Sequence, residues 1–222
     1  MAPDPQPQAR ASEAPSRAQA WMSQVPTAIL VGCVYILAAR MSLALLTPGG
    51  VAVFWPAAGV AAGTLITFGP SVRWAVVAGT MVATIVANLL GDRTVLGAVV
   101  FALCNALEAV LAAALIERYF DQPFNLDRLR NVLGLLAAAI LATAVSGIGG
   151  TLGFVFFHSA TKSIAVTWSE WFASDALGII TIAPLVIGLA SAAREPPTRS
   201  ETIEGLLALA LLVVIRDRKS VV

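Results

Sequence analysis

The chain has 222 residues, of which 58% are hydrophobic and only 12% charged, and its mean hydropathy is +0.84. A soluble domain is nearer half apolar and a quarter charged, so this composition excludes an ordinary soluble globular protein and implies a polytopic membrane protein. The net charge of +1 gives no reason to expect a nucleic-acid partner.

Residues 1–24 are rich in Pro, Ala and Ser and contain no apolar run. They read as a disordered tail. The apolar segment that follows, Val25 to Leu46, is long enough to span a bilayer and too long for the core of a cleavable signal peptide. Five further runs meet the requirement of roughly 20 apolar residues: Val51–Phe68, Val72–Leu90, Val95–Ile116, Val132–Phe157 and Trp171–Ala190. They are continuous rather than alternating, which suits spanning helices and not barrel strands. The expected fold is therefore an all-α bundle of six clear spans plus a short seventh.

The links TPGG, GPS and GDRT are turn chemistry. The stretch from Glu117 to Asn131 is the first long polar loop, and Arg194 to Glu201 the second, where Pro196 and Pro197 stop the preceding helix. A seventh run, Gly205 to Ile215, is too short to cross, at roughly 16 Å of helix. It is followed by the basic stretch RDRKSVV, residues 216–222, which reads as non-native sequence after a truncated domain spanning 25–215. Lys and Arg in short loops set orientation. With a cytoplasmic N-terminus, Arg10, Arg17, Arg73, Arg118, Arg128, Arg130, Arg194 and Arg199 fall inside. Arg40, Arg93 and Lys162 fall on the outer side. The bias is clear.

Polar groups within spans are expensive and mark function by default. Arg40, Glu108 and Asp175 are the embedded ionisable residues, with Glu170 nearer the boundary and pointing elsewhere. Asn88 and Asn105 join them. In the assigned orientation Trp55, Asn88, Trp168, Trp171 and Asp175 lie near the outer ends of their helices, and Asn105 and Glu108 lie roughly 15 to 20 Å in. The inner halves are almost purely apolar. Asn105 and Glu108 share a helix face at i,i+3, and so do Trp168, Trp171, Asp175 and Gly178. Arg40, the one embedded cation, is the natural counter-ion for Glu108 or Asp175. The pattern points to an outward-facing pocket; the competing reading is interhelical hydrogen bonding, at about 0.6 kcal/mol each.

Gly59-x-x-x-Gly63 and Gly149-x-x-x-Gly153 are small-residue packing faces. Cys33 and Cys104 lie in apolar runs and read as small core hydrophobes. His158 reads as a boundary residue. Ser146 has no histidine on another helix to act as its base. No zinc spacing, Walker loop, kinase motif or cyclase motif is present. The residues thus point to no enzyme, cofactor or metal.

In this order the motifs resemble the first membrane-associated sensor domain family of bacteria. The likeness lies in Trp55-Pro56-Ala57-Ala58-Gly59, in Asn88, and in Asn105-x-x-Glu108-Ala109. It continues in Phe120-Asp121 of the basic loop, in Trp168-x-x-Trp171, in Asp175-Ala176-Leu177-Gly178, and in Ala183-Pro184-Leu185. It covers about residues 25 to 190. The resemblance implies an eight-span sensory module of the bacterial inner membrane. It would feed a cytoplasmic histidine kinase, diguanylate cyclase or phosphodiesterase that this chain does not contain. The expected partners are the lipid bilayer, a small ligand and that signalling unit. Two other readings remain open: a small transporter or channel subunit, and a ligand-free anchor that forms a homodimer through its glycine faces.

Overall fold

The computed structural model describes residues 23–44, 46, 50–157, 162–196, 198–200, 203–205 and 207. Nearly all of the expected tail at 1–24, His158, most of the run 205–215 and all of 216–222 lie outside them. Six helices follow one another: α1 (Val25–Leu43), α2 (Pro56–Phe68), α3 (Arg73–Leu89), α4 (Val95–Tyr119), α5 (Leu129–Phe157) and α6 (Ile164–Arg194). Among the described residues no strand forms; one isolated bridge pairs Leu46 with Ala52. The all-α class is the one the continuous apolar runs predict.

The span count needs correction. Among the described residues five helical runs, where six spans are expected, are long and apolar enough to cross a bilayer; Pro56–Leu89 counts as one run although a 3-10 turn at Gly69–Val72 divides it. Within it α2 has only 13 residues, about 20 Å at the helical rise and short of the roughly 20 residues a span needs. Pro56 is the reason for the late start. It lacks an N–H and keeps the preceding residue out of the helical region, and Trp55 sits at φ −117°, ψ 75°. Gly69, at φ +70°, ends the helix in a conformation that glycine adopts freely.

This short helix is stable because it is central. Every residue from Pro56 to Ile66 is buried. The chain turns at Gly69–Val72, so that α2 runs alongside α6 and α3 alongside α1. Close approach rests on small residues: a methyl group on Gly63 would lie 2.9 Å from the Ala183 Cα, and one on Gly79 would lie 2.6 Å from the Ala28 carbonyl oxygen. The outer surface is apolar, with Leu30, Leu37, Leu96, Leu141 and Leu189 all exposed, as a lipid-facing surface requires.

Two ends result. At one, Arg73 pairs with Glu117 at 2.5 Å and Arg194 donates to the Thr67 carbonyl at 3.1 Å. The loop between α4 and α5 lies at the same end. The opposite end carries residues 50–55 before α2, 90–94 between α3 and α4, and 162–163 before α6. Helix α6 begins there seven residues earlier than expected, with Ser163 as its N-cap (Val166 N–H to Ser163 Oγ, 3.4 Å).

Candidate functional site

The second end holds a cavity, and the sequence explains how its walls are placed. Two tight turns deliver polar groups to it. In the first, the N–H of Trp55 donates to the Ser174 carbonyl of α6 at 3.2 Å. Gly178 permits this approach, because a Cβ there would collide with the Trp55 carbonyl oxygen. In the second, Asp92 takes φ 58°, a left-handed conformation that Asp tolerates better than most residues. The chain doubles back, and the N–H of Arg93 donates to the Asn88 carbonyl at 3.1 Å. Thr94 then caps α4 by accepting from Gly97 N–H at 3.2 Å. Arg93 is thus fixed between the end of one helix and the start of the next.

The cavity is lined by Trp55, Asn88, Arg93, Asn105, Trp171, Ser174 and Asp175, with Phe101 and Phe154 among its apolar walls. About 40 Å³ is open to the centres of water-sized molecules, where one water needs roughly 10–15 Å³. Five buried side-chain atoms around it meet no protein partner of good hydrogen-bond geometry: Arg93 Nη1, Asn105 Oδ1, Trp171 Nε1, Ser174 Oγ and Asp175 Oδ2, of which the Trp171 indole and the Asp175 carboxyl lie close to one another. Buried polar groups are ordinarily satisfied, and an orphan costs about 1–3 kcal/mol. Five orphans facing one small space are a feature of the site.

Behind the cavity lies a hydrogen-bonded layer. Tyr35, fully buried, accepts from Trp55 Nε1 at 3.2 Å and from Asn105 Nδ2 at 2.9 Å. Asn105 also approaches Thr84 Oγ1 at 3.5 Å, and Asn88 Nδ2 donates to the Thr84 carbonyl at 2.8 Å. Glu108, 1% exposed, accepts from the Ser146 hydroxyl of α5 and neighbours the Asp175 carboxyl. It lies one turn deeper than Asn105 and does not line the space itself.

Arg93 is 9% exposed. Its guanidinium donates to the Gly50 carbonyl at 2.5 Å and lies over the Phe154 and Phe101 rings, 5.0 and 5.6 Å from their centroids. Burial lowers its pKa from the ordinary arginine value.

The structure brings together Trp55, Asn88, Asn105, Trp171 and Asp175, with Glu108 adjacent. Trp168 and Arg40 are placed elsewhere. Trp168 is half-buried, stacks on Phe172 at 5.2 Å and donates to the Ala144 carbonyl at 3.1 Å. Arg40 is exposed and reaches the Leu90 carbonyl at 3.3 Å. It is no counter-ion to either carboxyl, because it is exposed on α1 and its guanidinium goes to the carbonyl that ends α3; Arg93 is the guanidinium that enters the site. Glu170 is paired with Lys162 rather than left to solvent.

Gly59 and Gly63 lie against α6, at Gly178 and Ala183. Gly149 and Gly153 lie against α4, at Cys104 and Phe101. Between those two, Gly150 faces the indole of Trp171. Cys104 is buried, but Cys33 is exposed on the lipid-facing side of α1. Four residues escaped the sequence reading. Tyr35 carried the best signal, as the one tyrosine within a span; Thr84 and Ser174 look like ordinary small residues. Arg93 was hidden inside a turn motif.

A family model, MASE1, matches residues 26–216, which cover the six helices described above apart from Val25. The chain belongs to the MASE1 family. MASE1 is a membrane-associated sensor domain family, so the polar cavity lies within a domain of that family. No curated protein and no solved structure matches the chain. The MASE1 match extends beyond α6, over residues 195–216, most of which lie outside the described ones.

Proposed function

We propose that residues 25–215 act as an integral membrane sensory domain that binds a small ligand in this cavity and relays its presence to a cytoplasmic output of histidine kinase, diguanylate cyclase or phosphodiesterase type. The observation that carries the reading is the set of five partnerless polar atoms around one buried space, in a chain of the MASE1 family. The domain sits in a bacterial inner membrane with its N-terminus in the cytoplasm and its cavity facing outward, as the excess of arginine at the opposite end supports.

The relay runs along α6. Trp171, Ser174 and Asp175 of this helix meet the cavity, and Arg194 is at its far end. Pro184 lies between. It withholds the N–H that the Ile180 carbonyl would otherwise receive and so weakens the helix there. A ligand that binds one arrangement of α6 better than another shifts the populations by the difference in affinity. The interior below Glu108 is filled by Ala61, Ala62, Leu65, Ala112 and Ala139, all nearly inaccessible, which favours a sensor over a continuous transport path.

The test is a ligand screen on the full chain, read by tryptophan fluorescence and thermal unfolding. Glu108→Gln and Asp175→Asn are expected to weaken binding, and to alter the output of the natural full-length receptor. The proposal fails if both variants leave binding and output untouched.

A further inference from the structure

The ligand class can be read from the two charged ends of the cavity, given that the cavity is the sensory site proposed above. Arg93 and Asp175 line the same small space, yet no ion pair joins them; the ion pairs among the described residues are Arg73–Glu117 and Lys162–Glu170. Each offers an unused atom, Nη1 on the guanidinium and Oδ2 on the carboxyl. A guanidinium and a carboxyl buried without pairing forgo their mutual attraction; the Asp175 carboxyl instead neighbours Glu108 and Trp171, an acidic cluster that a cation would satisfy.

We propose that the cavity takes a small zwitterion, an amino-carboxylate whose carboxylate meets Arg93 and whose ammonium meets Asp175. Arg93 Nη1 is a donor and suits a carboxylate; Asp175 Oδ2 and Asn105 Oδ1 are acceptors and suit an ammonium. The Ser174 hydroxyl serves either. A simple anion would satisfy Arg93 and meet the Asp175 carboxyl unfavourably. A simple cation would do the reverse.

Size agrees. Forty cubic ångströms open to water-sized centres, widened by a water radius of about 1.4 Å, admits a molecule of roughly five to eight non-hydrogen atoms. Amino acids from glycine, alanine and β-alanine up to serine, threonine and valine fall in that range, and those with longer or aromatic side chains do not. Arg93 is held by its stacking on Phe101 and Phe154 and by Gly50, so the anion end is preorganised, which reduces the ordering cost of binding.

The experiment titrates the wild-type full chain in lipid nanodiscs with glycine, β-alanine, propionate, propylamine and propionamide. Tryptophan fluorescence and thermal midpoint are the readouts. The expected result is a saturable response to glycine or β-alanine alone, weakened about 10- to 100-fold by Arg93→Gln and by Asp175→Asn. If propionate, propylamine or propionamide binds as well as β-alanine, the zwitterion is refuted and the sensory cavity stands. The same holds if a zwitterion binds the wild type and Arg93→Gln equally. If none of the five binds but a broader screen finds a ligand that Asp175→Asn abolishes, the ligand class falls alone. If no small molecule of any class binds, both readings fall. The wild-type panel decides even where a variant does not accumulate.

Discussion

Replacing Tyr35 by Phe removes one oxygen atom from the layer behind the cavity and leaves the ring in place. The ring packs edge-on against Trp55 at 6.4 Å and is fully buried, so the substitution alters little but hydrogen bonding. Two buried donors lose their acceptor, Trp55 Nε1 and Asn105 Nδ2. In water-soluble proteins each orphaned donor costs about 1–3 kcal/mol. In membrane bundles the measured average is about 0.6 per bond and the maximum about 1.7, because the unfolded chain in the bilayer also finds partners. The membrane figures apply here, and two bonds give about 1.2 kcal/mol with a ceiling near 3.4. The assay is reversible unfolding of the full chain in mixed micelles, with a double-mutant cycle against Asn105→Ala. A coupling of about 0.6 kcal/mol or more is expected. A Tyr35→Phe effect below about 0.5 kcal/mol, with additive behaviour in the cycle, would refute the view that Tyr35 ties α1 to α4 and to the start of α2.

Other outcomes follow from the same geometry. Gly59→Val should prevent stable accumulation, since a Cβ at Gly59 collides with the Gly178 carbonyl and lies 2.6 Å from the Ile182 Cβ. Gly188→Ala should be neutral or stabilise by up to about 1 kcal/mol, because nothing lies within 4 Å of its added methyl and alanine favours the helix; thermal midpoints of the two variants check both. The Arg73–Glu117 pair is 32% and 21% exposed, so a cycle of Arg73→Met and Glu117→Gln should give a coupling under about 1 kcal/mol that fades at high salt. In intact cells, a cysteine placed at Asp92 should react with a membrane-impermeant thiol reagent and one at Asp127 should not. The reverse labelling pattern would invert the proposed orientation.

The membrane class was legible in the sequence because lipid permits few solutions. A backbone crossing hydrocarbon must satisfy its own polar groups, so long apolar runs with few charges become helices whatever their neighbours are. Embedded Asn88, Asn105, Glu108 and Asp175 were legible for the same reason: polar groups in spans cost too much to be incidental. The ends of the helices were less so. Residues 51–55 are apolar enough to be helical, and only Pro56 keeps them out. Ile164 to Glu170 are helical although the Trp171 boundary looked natural.

What hydropathy cannot see is which turns fold inward. Arg93 and Arg40 are each a lone arginine near the same end of the bundle, and hydropathy favours Arg40, the one that lies within an apolar run. The left-handed turn at Asp92 carries Arg93 back over Phe101 and Phe154 into the cavity, whereas the rotation of α1 leaves Arg40 outside. Likewise Trp171 and Trp168 share a helix face but not a role. Gly150 of α5 receives the first indole, and the second stacks on its own helix. Helix rotation and turn handedness are settled by contacts between segments distant in sequence. The sequence by itself thus determined the solvent, the helical class and the cost of each buried polar group, while tertiary packing decided which of those groups face one another across a space.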